Sequence, residues 1–109
     1  MPPKNSLGEF EQMILLAVLR KADEAYGVEV RREIEAATGK TVTRGAFYTS
    51  LDRLKAKGFL TWELGAVEHV RGGNPQRYFE VTRAGREQLL RARQAMDQLW
   101  DGLENVVIP

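Results

Sequence analysis

Leu89, Ala92, Met96, Leu99, Leu103 and Val106 follow one another at separations of 3, 4, 3, 4 and 3 residues. Six apolar residues at heptad-core spacing predict a long C-terminal helix, running from just after Thr82 to about residue 106, with an apolar seam along it. At about 1.5 Å per residue such a helix exceeds about 30 Å, farther than a small helical core can cover. Fewer than three full heptads are present, so ordinary packing on the helix's own domain stays open beside packing against a partner helix. The length favours a partner. A chain of 109 residues has the size of one domain, and a domain this small is marginally stable by itself.

The segment upstream divides into three further helices and a hairpin. Over residues 7–21, Phe10, Met13, Ile14, Ala17 and Val18 recur with helical periodicity, with Ser6 as expected N-cap and Glu9 as its capping-box partner. A second helix is expected from Tyr26, Val30, Ile34 and Ala37, ending at Gly39. Thr43 is the expected cap of a third, which directs Phe47, Leu51 and Leu54 inward and stops at Gly58. Residues 59–64 and 77–81 read as strands, and the turn formers between them, residues 71–76, make the pair a hairpin. Thr82 then caps the last helix. The fold class expected is mainly α with a small β-hairpin.

Charge is divided unevenly along this order. The chain carries 16 basic and 15 acidic residues, yet residues 40–86 hold nine basic against four acidic, leaving the flanks acidic. Such a division aims one surface at a polyanion. Enzymatic chemistry finds no support. There is no nucleophile elbow, no phosphate-cradling loop and no dinucleotide fingerprint. No cysteine is present, and the one histidine, His69, has no second histidine nearby, so it reads as a surface residue with neither a metal nor a cofactor. The absence of cysteine suits a reducing cytoplasm. The polar N-terminus lacks an export signal, and the longest apolar run, residues 13–19, is too short to span a membrane.

Nucleic-acid binding is supported by several features together. The third helix turns Arg44, Tyr48, Thr49, Asp52, Arg53 and Lys55 away from its apolar side. A helix with polar first turns, following a short turn, is the element that enters the major groove in helix-turn-helix proteins. Thr43 and Arg44 stand at its start. Arg44 suits guanine, Thr49 a thymine methyl, Tyr48 a base or phosphate, and Arg53 and Lys55 phosphates. A solvated helix face is the competing reading, and Asp52 fits it. Arg71, Asn74, Gln76 and Arg77 surround the glycine-rich hairpin tip, where arginine is drawn to the minor groove.

Three segments are recognisable as a set. Tyr26-Gly27-Val28-Glu29-Val30, the stretch from Thr43 through Gly45-Ala46-Phe47-Tyr48 to Gly58-Phe59-Leu60, and Arg77-Tyr78-Phe79-Glu80-Val81-Thr82-Arg83-Ala84-Gly85 resemble the PadR-like transcriptional regulators. The resemblance covers about residues 7–106. It implies a winged helix-turn-helix DNA-binding unit over residues 1–82 and a dimerisation helix over residues 83–109, the latter pairing through Leu89, Ala92, Met96, Leu99, Leu103 and Val106. It further implies a homodimeric repressor on a pseudo-palindromic double-stranded operator. Some relatives bind a small-molecule effector between subunits, which draws attention to Trp100, read here as lying off the main seam, either packing in the interface or lining a cavity. The chain departs from the family at Thr49, where proline is frequent, and at Asn74, where arginine is frequent. A winged-helix module that binds protein rather than DNA is the alternative function.

Overall fold

The computed structural model of the chain describes residues 6–65, 70–71 and 74–107. Helix α1 spans Glu9–Lys21, and a single 3-10 turn over Ala22–Glu24 leads into α2, Gly27–Thr38. Helix α3 is Arg44–Ala56. Strands β1 (Leu60–Leu64) and β4 (Arg77–Val81) pair antiparallel, with Leu60 opposite Val81 and Trp62 opposite Phe79. Between them in the chain the short strands β2 (Val70–Arg71) and β3 (Asn74–Pro75) pair as a separate two-stranded sheet. Helix α4 is Arg83–Trp100 and α5 is Glu104–Val107.

The core is built where the three first helices meet the hairpin. Ile14, Leu15 and Val18 of α1, Val30 and Ile34 of α2, Phe47, Leu51 and Leu54 of α3, and Leu60 and Phe79 of the hairpin are all buried. Tyr26 forms an isolated bridge with Tyr78, and the Phe79 amide donates to the Ala25 carbonyl at 2.9 Å, so the segment before α2 acts as a third strand beside β4. The Tyr78 hydroxyl donates to the Ala22 carbonyl at 3.0 Å, holding the same junction. Three helices with a hairpin closing one side form a winged helix-turn-helix.

Several caps stand where expected. The Thr43 hydroxyl accepts from the Ala46 amide at 3.2 Å and that of Thr82 from the Gly85 amide at 3.0 Å. Gly39 and Gly58 adopt left-handed φ of 71° and 80° just past α2 and α3, a conformation that glycine reaches without strain.

Three expectations are corrected. Helix α1 is capped at Gly8, not Ser6, and the partner is Glu11 rather than Glu9: the Glu11 carboxylate accepts from the Gly8 amide at 2.8 Å. Glu11 is chosen because its other contact is Lys57, whose ammonium donates to both carboxylate oxygens at 2.8 and 2.9 Å and to the Ser6 carbonyl at 2.8 Å. Ala37 is exposed, because the inward stripe of α2 runs through Val30, Ile34 and half-buried Thr38, and Ala37 lies to one side of it. The C-terminal helix is also not continuous to Val106. It ends at Trp100, Asp101 turns extended, and Gly102 takes a left-handed φ of 80° before α5 begins. Helix α4 is therefore about 27 Å long.

Candidate nucleic-acid interface

The 13 residues of α3 divide into three stripes at 100° per residue. Phe47, Ser50, Leu51 and Leu54 are buried. Gly45, Thr49 and Arg53 lie exposed on the outward stripe. Arg44, Tyr48, Asp52 and Lys55, at separations of four, four and three, form a stripe between the two, and on that side the helix meets the hairpin.

Aromatic rings and cations alternate where they meet. Phe79, buried in the core, stands edge-on to Phe47 (centroids 6.4 Å apart) and to Trp62 (5.9 Å), and Phe47 stands edge-on to Tyr48 (5.4 Å). These T-shaped contacts fix Tyr48 and Trp62 from beneath. Above them, the Arg44 guanidinium lies 5.6 Å from the Tyr48 ring, Arg77 lies 5.7 Å from Tyr48 and 4.9 Å from Trp62, and the Lys55 ammonium lies 4.1 Å from Trp62. Arg44, Lys55 and Arg77 are exposed while Tyr48 and Trp62 are half-buried. Gly27, at the start of α2, leaves room for this packing: a Cβ there would sit 3.1 Å from the Tyr48 hydroxyl oxygen.

Several cations elsewhere are paired, while Arg31, Lys40, Arg86 and Arg91 carry no ion pair among the described residues. Arg20 and Lys21 pair with Glu33, Arg32 with Glu29, Lys57 with Glu11, Arg83 with Glu87 and Arg93 with Asp97. The Arg20 hydrogen bond holds the Glu33 carboxyl below its ordinary value, against a smaller opposing effect of burial. Among the described residues, Arg44, Arg53, Lys55 and Arg77 have no carboxylate partner. They form a cationic face across α3 and the base of the hairpin.

Most of the sequence-selected residues thus come together. Thr43, Arg44, Tyr48, Thr49, Arg53 and Lys55 are on or at the start of α3, and Gln76 and Arg77 are at the base of the hairpin. Arg71 and Asn74 face each other across β2 and β3. His69, Gly72 and Gly73 lie outside the described residues. Trp62 escaped the sequence reading, having been read only as a strand residue; a tryptophan on the strand following a basic helix was the available signal. Among the described residues, no group of three or more His, Asp or Glu side chains is gathered for a metal, and no helix is long and apolar enough to cross a membrane.

The residues chosen for subunit pairing divide. Leu89 packs against the chain's own core and Ala92 is half-buried. Met96 and Leu99 are 56% and 70% exposed. Trp100, beside Leu99 at the end of the same helix, is partly exposed. Leu103 and Val106 are exposed beyond the break. Helix α1 adds Leu16 and Leu19, exposed on the side opposite its core positions. A groove of about 440 Å³ lies beneath the turn between α2 and α3, lined by Phe10, Met13, Ile34 and Val42 and edged by Thr43.

Comparison with known proteins gives a consistent picture. The sequence model of the transcriptional regulator PadR-like family matches residues 15–91. A PadR-like transcriptional regulator from Bacillus cereus is 22% identical, with 92% of each chain covered and a TM-score of 0.73. A PadR-like transcription factor from Bacteroides fragilis is 22% identical over 89% of this chain and 88% of that one, with a TM-score of 0.68. A PadR family transcription regulator from Clostridium difficile is 15% identical over 90% and 98%, with a TM-score of 0.67. No curated protein matches the sequence.

Proposed function

The chain belongs to the transcriptional regulator PadR-like family, and from that membership we propose that it works as a homodimeric repressor that binds a pseudo-palindromic DNA operator. The observation that carries the reading is the cationic face of Arg44, Arg53, Lys55 and Arg77, exposed on α3 and β4 and without carboxylate partners among the described residues. Thr49 and Gly45, on the outward stripe, meet base edges as α3 enters the major groove, while Tyr48 and the arginines meet backbone and bases. Thr43, at the helix start, and Arg71, Asn74 and Gln76 of the wing complete the contact, the wing reaching the neighbouring backbone or minor groove.

Residues 1–82 form the DNA-binding unit and residues 83–109 the dimerisation segment in this reading. A second copy covers Met96, Leu99 and Trp100, whose exposure on one helix face is costly in water. Ala92, Leu103 and Val106 flank that contact, with Leu89 anchoring α4 to its own core. Two copies then place their α3 helices one DNA turn apart, about 34 Å. A small molecule that changes the angle between subunits changes affinity, and Trp100, beside Asp97 and Asp101 at the end of α4, is the residue placed to report it.

Selection of bound duplexes from a random pool at near-physiological salt, with the mass in solution measured alongside, tests the proposal. Enrichment of an inverted repeat by a dimer is expected. A folded dimer that enriches nothing overturns it in favour of a winged-helix module that binds protein.

A further inference from the structure

Trp62 is the one residue of the cationic face that the helix-turn-helix reading does not use, and its surroundings are specific. It sits on β1 opposite Phe79, stands edge-on to that buried ring, and is thereby fixed to the core. On its indole rest two cations from different elements: the Lys55 ammonium from the last turn of α3, at 4.1 Å, and the Arg77 guanidinium from the start of β4, at 4.9 Å. Both distances are within the range of a cation–π contact, and tryptophan is the strongest aromatic partner for one. Neither cation has a carboxylate partner among the described residues.

Long cationic side chains otherwise rotate freely in solvent and lose that freedom when they bind a phosphate. Held on one ring, Lys55 and Arg77 have lost part of it already.

We propose that Trp62 is a positioning residue whose indole holds Lys55 of α3 and Arg77 of the wing ready for phosphate contacts, so that helix and wing engage the DNA backbone together. The inference rests on the DNA-binding reading above. It requires that the phosphate contacts of Lys55 and of Arg77 each depend on the indole.

The test measures binding of a 30-base-pair mixed-sequence duplex across a salt series, for the wild type and for Trp62→Leu, Trp62→Phe, Lys55→Ala and Arg77→Ala. Each phosphate contact contributes about 0.9 to the slope of log affinity against log salt. Lys55→Ala and Arg77→Ala each flatten the slope by about that amount. Trp62→Leu, which keeps every charge, is expected to flatten it by between about 0.9 and 1.8 and to make a further Lys55→Ala change nearly silent. Trp62→Phe, which keeps a ring, restores most of the slope. A structural role alone moves stability and leaves the slope unchanged. The proposal is overturned if folded Trp62→Leu keeps the wild-type slope, or if Lys55→Ala costs as much in that background as in the wild type.

If Trp62→Leu does not fold, a Trp100→Phe variant leaves Trp62 as the only tryptophan, the chain having two. Its emission must then change on adding duplex and return on adding salt, and constant emission overturns the proposal. A wild type that binds the duplex with no salt dependence refutes the DNA-binding reading itself, and this inference falls with it. A salt-dependent wild type with an indifferent Trp62 refutes this inference alone.

Discussion

Gly85, three residues past Thr82, has no room for a side chain. A Cβ there would lie 2.4 Å from the Phe59 carbonyl oxygen and 2.9 Å from Val81 Cγ1, where ordinary contact begins at 3.4 Å. The start of α4 must therefore retreat by about 1 Å to admit alanine. Phe59 cannot yield: it is 3% exposed, and its carbonyl accepts from the Thr82 amide at 3.0 Å. The retreat strains the bond from the Gly85 amide to the Thr82 hydroxyl, at 3.0 Å, and the one from that hydroxyl to the Gly58 carbonyl, at 2.7 Å. Overpacking costs about 1–3 kcal/mol and a lost N-cap about 0.5–2 kcal/mol, so Gly85→Ala is expected to lose roughly 3 kcal/mol. In a chain of this size that lowers the melting temperature by about 12 °C or more. Thermal unfolding followed by circular dichroism measures it, at one fixed protein concentration because association shifts the midpoint. A variant melting within about 3 °C of the wild type, a drop below what even 1 kcal/mol produces, would refute the reasoning.

Gly45→Ala is the converse case, since a Cβ at Gly45 meets nothing within 4 Å; it should stabilise the free protein by up to about 1 kcal/mol while weakening duplex binding, and equal affinity would show that the outward stripe of α3 does not approach DNA. Lys57→Ala leaves the Glu11 carboxylate, 6% exposed, with only the Gly8 amide, and is expected to cost about 3 kcal/mol in chemical denaturation, which the double change Glu11→Leu with Lys57→Met should largely recover. Met96→Glu with Leu99→Glu should convert a dimer to a folded monomer by light scattering, because both side chains are exposed within one chain. Burial, and then the neighbouring Asp23 and Glu80 carboxylates, push the Tyr78 phenol above its ordinary value of 10.0. Its proton is therefore held more tightly in the folded state, so its contribution to stability is complete below pH 10.0 and lost as pH rises through the raised value. Tyr78→Phe should flatten that alkaline loss in denaturation midpoints measured from pH 8 to 11.

What was legible in the sequence was what neighbours along the chain decide. Thr43, Thr82, Gly39 and Gly58 act within three or four residues, so their caps could be read directly. Ser6 and Glu9 failed as a capping pair because Lys57, far away in sequence, fixes Glu11 and with it the start of α1. The break at Gly102 has another origin. Heptad spacing continues through Leu103 and Val106, but periodicity stabilises a helix only where its apolar face is covered. Within one chain α4 is covered no farther than Leu89 and Ala92, so beyond Trp100 the preference of glycine for a left-handed turn prevails. Trp62 was illegible for the same reason as Lys57: its partners arrive only through the fold.

The basic middle of the chain shows most clearly what folding adds to a count. Nine cations between residues 40 and 86 suggest a broad basic surface, yet Lys57 is taken by Glu11 inside the fold and Arg83 by Glu87 along α4. The acidic flanks play the matching part, with Glu29 and Glu33 neutralising Arg32, Arg20 and Lys21 on the far side of the core. A formal net charge of +1 therefore hides a face on which four cations, Arg44, Arg53, Lys55 and Arg77, stand without carboxylate partners among the described residues. A polyanion approaching within a Debye length, about 8 Å at physiological salt, responds to that face rather than to the total. On it the exposed cations belong to α3 and β4, and the two rings beneath three of them, Tyr48 and Trp62, belong to α3 and β1. Helix and wing are thus linked at their surface by the same side chains that carry the charge, and a change that reorients one element reorients the field of the other.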